Sequence, residues 1–403
     1  MIIPIILLIF AGNNHEMDEK KPLKIVYCTP ALYMAGGEER VLSLKANYLA
    51  DVFGYDVTII LTEGKDEPLF YDLSERIHIV NLDINFEELW RCSFVRKILT
   101  YIKKQRKYEK KLTEKLMQLR PDITISMMRR EINFINSIKD GSHKIAEIHV
   151  NRDHFRNFEG KPNAIKRLFA YFWQASLIKH LKKLDKFVVL TNDDMLLWPE
   201  LSNVVCIPDM LSFIPKSISP MTRPRLISVG RYCYQKGFDL LLEAWAVAQN
   251  MNKNWRLDIY GDGDREPYER LIDEMNIDRN RCALHGRTSD IESEFVNSSL
   301  SVCSSRFEGF GLVIVEAMAC GLPVVSFNCQ YGPSSIITDG KDGLLIKDGN
   351  VLAFAYALAY MMNNDEARRE MAREALITVN RFKLEHIMEQ WRELFEEVCS
   401  IGH

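Results

Sequence analysis

The sequence predicts an α/β protein of two Rossmann-like domains, and three observations predict it. Short apolar runs alternate with longer helical stretches from residue 23 to residue 190, and the alternation begins again at Arg225. Between the two series, Pro208, Pro215, Pro220 and Pro224 punctuate a segment without clear periodicity, which marks a linker. Glycines gather where the apolar runs end, and parallel sheets take their ligands at strand carboxyl ends. Alternation of this kind implies mostly parallel sheets with helices on both faces.

Length and composition fit. At 403 residues the chain can build two cores. Apolar content of 47% and charged content of 27% are ordinary for α/β proteins, and a net charge of −3 argues against a dedicated nucleic-acid binder. Nine cysteines are scattered with no Cys-x-x-Cys pair, so reduced thiols in a reducing compartment are expected and a metal site is not. The expected organisation is a leader or mis-assigned start over 1–16, a first domain over 17–210 and a linker over 211–224. A second domain over 225–385 and a terminal helix over 386–403, packing back across the linker, complete it. Ile2 to Phe10 is apolar but too short to span a bilayer and lacks a basic flank, and Met17 is the preferred start.

In the first domain, Leu23–Cys28 reads as a strand, followed by a loop in which Gly36-Gly37 opens a helix with apolar Val41, Leu42, Leu44 and Leu49. A strand–Gly-Gly–helix turn can hold a phosphate or a sugar, although it is not the Gly-x-Gly-x-x-Gly fingerprint. Strands follow at Val57–Leu61, Ile77–Leu82, Ile123–Met127, Lys144–His149 and Phe187–Leu190. His149 closes one of them, where either a structural or a ligand-facing role is open. Residues 91–120 and 161–190 are rich in Lys and Arg, the second stretch interleaved with Phe169, Tyr171, Phe172 and Trp173. Such stretches read either as solvated helix faces over core aromatics or as a surface for anionic lipid.

The second domain opens with Arg225–Val229 and a loop, Gly230-Arg231 to Lys236-Gly237, that brings a guanidinium and an ammonium together, a pairing suited to a diphosphate. Strands are expected at Arg256–Tyr260, Ala283–His285, Leu300–Ser304, Val324–Phe327 and Gly343–Ile346. The most informative stretch is Ser305 to Val325. Glu308 and Glu316 bracket a segment opened by Gly309 and Gly311 and closed by Gly321 and Pro323, which reads as a helix with a glycine stop. If all of it is helical, the two carboxylates stand about 12 Å apart along the axis. Either they are surface residues, or they grip two ends of a nucleotide sugar. At the terminus, Ile387, Trp391, Leu394, Phe395 and Val398 fall on one helical face.

These residues carry a resemblance. Gly36-Gly37, His149, Gly-Arg231-x4-Lys236-Gly, Gly261-Asp-Gly263, Glu308-Gly-Phe-Gly-x4-Glu316-Ala and Gly321-Leu-Pro together resemble the retaining glycosyltransferases of family 4, of the bacterial surface-polysaccharide type. The resemblance spans about residues 23–395 and implies the GT-B fold, two Rossmann-like domains facing each other across a cleft. It implies a catalytic set of Arg231, Lys236, Glu308 and His149. The first two would neutralise the leaving diphosphate, and the other two would hold the donor sugar from opposite domains. The implied donor-binding set is Gly36, Gly37, Gly261, Arg287, Gly309, Phe310, Gly311, Leu312 and Glu316, with Glu316 on ribose and the base near Gly261 and Arg287. The implied activity moves a hexose or N-acetylhexosamine from a nucleoside-diphosphate sugar to a glycan, lipid-linked in the expected case. UDP is expected ahead of GDP, with no metal or other cofactor and no nucleic-acid partner. The expected location is cytoplasmic, with peripheral contact to an anionic membrane. Rival readings are a nucleotide-sugar epimerase, a sugar phosphorylase and a non-catalytic glycan-binding protein of the same architecture.

Overall fold

The computed structural model describes residues 21–91, 94–152, 155 and 174–400. The leader over 1–16, the preferred start at Met17 and the aromatics from Phe169 to Trp173 lie outside the described residues.

Two parallel sheets carry the chain. The first holds β1 (Lys24–Thr29), β2 (Asp56–Leu61), β3 (His78–Asn81), β4 (Ile123–Ser126), β5 (His143–Glu147), β6 (Lys186–Val189) and β7 (Val204–Cys206), in the order β3-β2-β1-β4-β5-β6-β7. The second holds β8 (Arg225–Val229), β9 (Arg256–Tyr260), β10 (Cys282–His285), β11 (Leu300–Cys303), β12 (Val324–Asn328) and β13 (Gly343–Lys347), in the order β10-β9-β8-β11-β12-β13. Every paired strand is parallel, with Val26 opposite Thr58 and Thr124, for example. Central strands are buried on both faces, which is why they read as unbroken apolar runs such as Val57–Leu61.

Strand order reverses direction between β1 and β4 in one sheet and between β8 and β11 in the other. Such switch points open a crevice beyond the strand carboxyl ends. Each crevice receives the first turn of a helix: Gly37–Asp51 follows β1, and Leu312–Ala319 follows β11.

The terminal helix, Leu384–Ser400, follows the second domain in sequence but packs in the first domain's core. Its Ile387, Met388, Trp391, Leu394, Phe395 and Val398 join Ile25, Tyr27, Leu42, Ala46 and Ile59 in one apolar cluster. The second sheet has its own clusters, one around Trp245, Leu257 and Phe354 and one around Ile314, Val324 and Phe382.

Some local expectations are corrected. The strand expected to end at His149 ends at Glu147, because the chain turns toward the second domain there. Strand β7 was not expected; its three half-buried residues are too few to show a period. Part of the positive charge over 91–120 is structural. Lys104, Lys107 and Lys111, on one face of the Phe94–Leu119 helix, donate to the carbonyls of Leu82, Asp83, Ile84 and Asn85 at 2.5–2.9 Å. Among the described residues, the cysteines are free thiols and no helix is long and apolar enough to cross a membrane.

Candidate functional site

The two switch points face each other. Leu312 Cδ1, at the first residue of its helix, lies 3.4 Å from an ideal Cβ position on Gly37. Two helix N-termini from two domains therefore converge on one cleft, each with unpaired N–H groups and partial positive charge. Gly311 caps the second of them at φ +107°, a left-handed conformation that favours glycine. Gly309 is required by contact: a Cβ there would fall 2.2 Å from the His149 carbonyl oxygen of the opposite domain. Close by, Asn151 Nδ2 donates to the Glu308 carbonyl at 3.1 Å. The 149–151 segment and the 308–309 segment thus form one seam.

Glu308 is not within the helix. The helix begins at Leu312, so the expected 12 Å axial separation from Glu316 does not apply. Positive φ at Gly311 breaks the run that would have joined them. Instead Glu308 is buried and accepts from Lys236 Nζ at 2.7 Å and from Ser305 Oγ at 2.6 Å. Burial depresses the Lys236 ammonium, but the Glu308 carboxylate outweighs it and raises Lys236 above the usual lysine range. Arg231 stands apart on the same loop, exposed and without an ion pair among the described residues. The loop therefore brings one engaged cation and one free cation to the end of β8.

Glu316 is buried on the helix and meets a cation from the other domain. Arg40 Nη1 lies 2.9 Å from Glu316 Oε1, and Ser212 Oγ donates to the same oxygen. Burial raises the Glu316 carboxyl, and these two donors and Lys236 only partly offset it. Both of these contacts fall on Oε1.

The remaining expected residues are placed as follows. Gly36 caps the Gly37–Asp51 helix and its carbonyl accepts from Arg40 N at 3.1 Å. Gly261 follows β9 and packs against the Gly230 carbonyl. The Arg287 guanidinium lies 4.2 Å from the Phe70 ring centroid of a first-domain loop, and both residues are exposed. The Phe310 ring is buried edge-on against Phe382 at 5.3 Å. The His149 ring does not point freely into the cleft. Its side chain is 7% exposed, with Nδ1 3.3 Å from Asp209 and Nε2 3.8 Å from Glu147.

Arg40, Ser212, Ser305 and Asn151 were not singled out from sequence. Arg40 closes the Gly-Gly-Glu-Glu-Arg run and Ser305 opens the Ser305–Val325 stretch, so both stood within noted motifs. Nothing local marks Ser212 or Asn151.

Two parallel-sheet domains with a polar cleft between their switch points define the GT-B class. Solved structures share it. TarM superposes with a TM-score of 0.75 at 19% identity over 94% of this chain and all of that one. The lipopolysaccharide outer core galactosyltransferase WaaB superposes with 0.70 at 19% identity over 93% and 100%. The sequence model of the family described as Glycosyl transferases group 1 matches residues 210–376. An uncharacterized glycosyltransferase of Haemophilus influenzae is 29% identical over 89% of this chain and 96% of its own length. The poly(ribitol-phosphate) alpha-N-acetylglucosaminyltransferase of Staphylococcus aureus is 30% identical over 64% of this chain and 52% of its own length. These similarities relate residues 210–376 to the group 1 glycosyltransferases, and the fold of the chain is that of the GT-B glycosyltransferases.

Proposed function

We propose that the chain is a retaining family 4 enzyme that moves a hexose or N-acetylhexosamine from a UDP-sugar to a surface-glycan acceptor. The observation that carries this reading is the convergence of two helix N-termini on a cleft flanked by Lys236–Glu308 and by Glu316. A diphosphate matches the helix ends and the cations, and ribose hydroxyls match the second oxygen of Glu316. UDP is favoured because solved complexes of TarM and of Anabaena HepE hold it.

Transfer at an anomeric carbon builds oxocarbenium character while negative charge accumulates on the leaving diphosphate. Arg231, Lys236 and the two helix ends stabilise that charge and supply what a metal would otherwise provide. Departure of the diphosphate requires Lys236 to share its charge between Glu308 and phosphate. Glu308, held by Lys236 and Ser305, positions sugar hydroxyls and forms no bond to carbon. Attack comes from the face the diphosphate leaves, with a donor phosphate oxygen accepting the acceptor proton.

The acceptor reading rests on the Phe94–Leu119 helix. Ile98, Leu99 and Ile102 are 46%, 66% and 43% exposed beside exposed Arg96, Lys103 and Arg106. An apolar patch ringed by cations suits the anionic face of a membrane, where a lipid-linked glycan would be met. Flotation with anionic vesicles tests it, and no association at low salt would remove it.

The function itself is tested by incubating the protein with UDP-glucose, UDP-N-acetylglucosamine and UDP-galactose and resolving the anomer of the product. An α-linked product from an α-donor is expected. An inverted product, or a glycosyl adduct trapped on Glu308, would overturn the mechanism.

A further inference from the structure

The second sheet carries a cavity that the cleft does not use. In the run Trp255 to Tyr260, Trp255, Leu257 and Ile259 pack into the core around Trp245, while Arg256, Asp258 and Tyr260 alternate onto the opposite face. A parallel sheet ordinarily buries both faces under apolar helices. Here the second face of β8, β9 and β10 is polar, and a cavity of about 590 Å³ lies against it. Its lining includes Arg225 and Arg256, which open β8 and β9, and Arg281, which precedes β10. Lys236, Gly261 and Glu308 of the cleft instead follow strand carboxyl ends, and none of them lines this cavity.

Asp258 gathers the charges. Its side chain is 1% exposed and lies 2.5 Å from Arg225 Nε, 2.7 Å from Arg256 Nη2 and 2.9 Å from His285 Nε2. Burial works against this carboxylate, and hydrogen bonds from Arg256, His285 and Arg225 outweigh it, holding it below the usual carboxylate range. Arg225 also donates to Glu294 and to the Tyr260 hydroxyl, and Arg281 meets Asp278. What is left over is positive. Exposed Arg223 and Lys253 have no ion pair among the described residues, and Arg256 keeps Nε and Nη1 for a further acceptor. The strand ladder brings them together: Arg225 stands opposite Arg256, and Arg256 N donates to the Pro224 carbonyl at 3.0 Å.

A guanidinium anchored from behind, with two unpaired cations beside it, suits a phosphate. The cavity is far larger than one phosphate and falls in the size range of small-molecule sites. Asn254, Asn280 and Asn297 add side-chain amides to its lining, which offer both donors and acceptors to sugar hydroxyls.

We propose that this cavity is a second ligand site, outside the transfer cleft, for a small phosphorylated saccharide. The phosphate lies on Arg223, Lys253 and Arg256, and the sugar hydroxyls lie on the asparagines. Asp258 is a positioning residue that fixes the Arg256 guanidinium. Such a site goes beyond the transferase reading and does not depend on it.

The test is calorimetric titration of the full chain at low ionic strength with glucose 1-phosphate and glucose 6-phosphate, against glucose and inorganic phosphate. Saturable binding of at least one sugar phosphate is expected, tighter than either control. It is expected to weaken about tenfold or more in the double variant Arg223→Ala, Lys253→Ala and in Arg256→Gln. All three side chains are exposed, so the fold tolerates their loss. The same titration at saturating UDP separates this site from the cleft, and binding is expected to persist. Binding that UDP abolishes, binding unchanged in the variants, or no saturable binding of either sugar phosphate would overturn the proposal. So would a control that binds as tightly as both sugar phosphates. If UDP itself fails to bind, the transferase reading falls while the variants still judge this site.

Discussion

The two walls of the cleft handle charge in opposite ways. The second domain keeps one ion pair local: Lys236 and Glu308, joined by Ser305, lie on neighbouring loops at the ends of β8 and β11. The first domain buries its charges in a relay, Lys45 to Glu147 to His149 to Asp209, whose members come from three separated elements and are roofed by the terminal helix. One wall is built from short motifs, the other from tertiary packing. The difference teaches that an ion pair at strand ends can be encoded in two neighbouring loops, whereas a chain of charges beneath a helix needs the whole core around it.

The largest expected effect separates the two walls by stability. Phe395 is fully buried in the first domain's core although it follows the second in sequence. Phe395→Ala is expected to destabilise the first domain by about 3–5 kcal/mol. Phe354→Ala should do the same to the second. Denaturation followed by domain-specific hydrogen exchange reads both. If Phe395→Ala loosened the second sheet first, the comparison would break.

Next is the local wall. Lys236→Ala removes a cation and leaves Glu308 buried with only Ser305. A fall in kcat of about 10²–10³, or about 2.7–4 kcal/mol, is expected in steady-state transfer assays. A change in KM alone would show that the lysine binds ground state and transition state equally.

The packed wall should show itself in pH. Burial opposes ionisation of Glu147, but Lys45 and His149 prevail and lower it to about 2. That contribution to stability is present above the ordinary 4.5 and lost as pH falls through about 2. His149 carries the opposite sign: its contribution is complete below 6.5 and disappears as pH rises through about 10. The first domain's thermal midpoint is therefore expected to hold between the ordinary values 4.5 and 6.5 and to decline progressively outside them.

The smallest effect is expected where the walls touch. Arg40 is 29% exposed, and its pair with Glu316 ties the domains. Arg40→Ala is expected to weaken nucleotide binding by about threefold to tenfold, or about 0.7–1.4 kcal/mol, and to blunt its salt dependence. Calorimetry at two ionic strengths checks this.

How far the sequence could be read follows the same division. Strands β8 to β13 and the Ser305–Val325 stretch were legible because glycines, Pro323 and strand ends bracket them locally. Glu308 and Glu316 were legible as a pair, but their spacing was not, since positive φ at Gly311 interrupts the helix that spacing alone suggests. The direct Lys236–Glu308 contact was invisible because it joins two loops on adjacent strands. His149 was marked by its place near a strand end, yet its partners Glu147 and Asp209 needed the fold. The apolar face of the terminal helix is plain from its spacing, while Lys45 beneath Trp391 breaks the rule that a helix buries only apolar residues.

The cleft is expected to bind a nucleoside diphosphate through Glu316 and the converging helix ends. The most direct measurement is the thermal shift of the protein with UDP, against GDP and ADP, for the parent and for Glu316→Ala. Selective stabilisation by UDP is expected, about 2.7 kcal/mol at a hundredfold excess over Kd, and its loss in Glu316→Ala. No shift with any nucleotide, or a shift that survives Glu316→Ala unchanged, would contradict it.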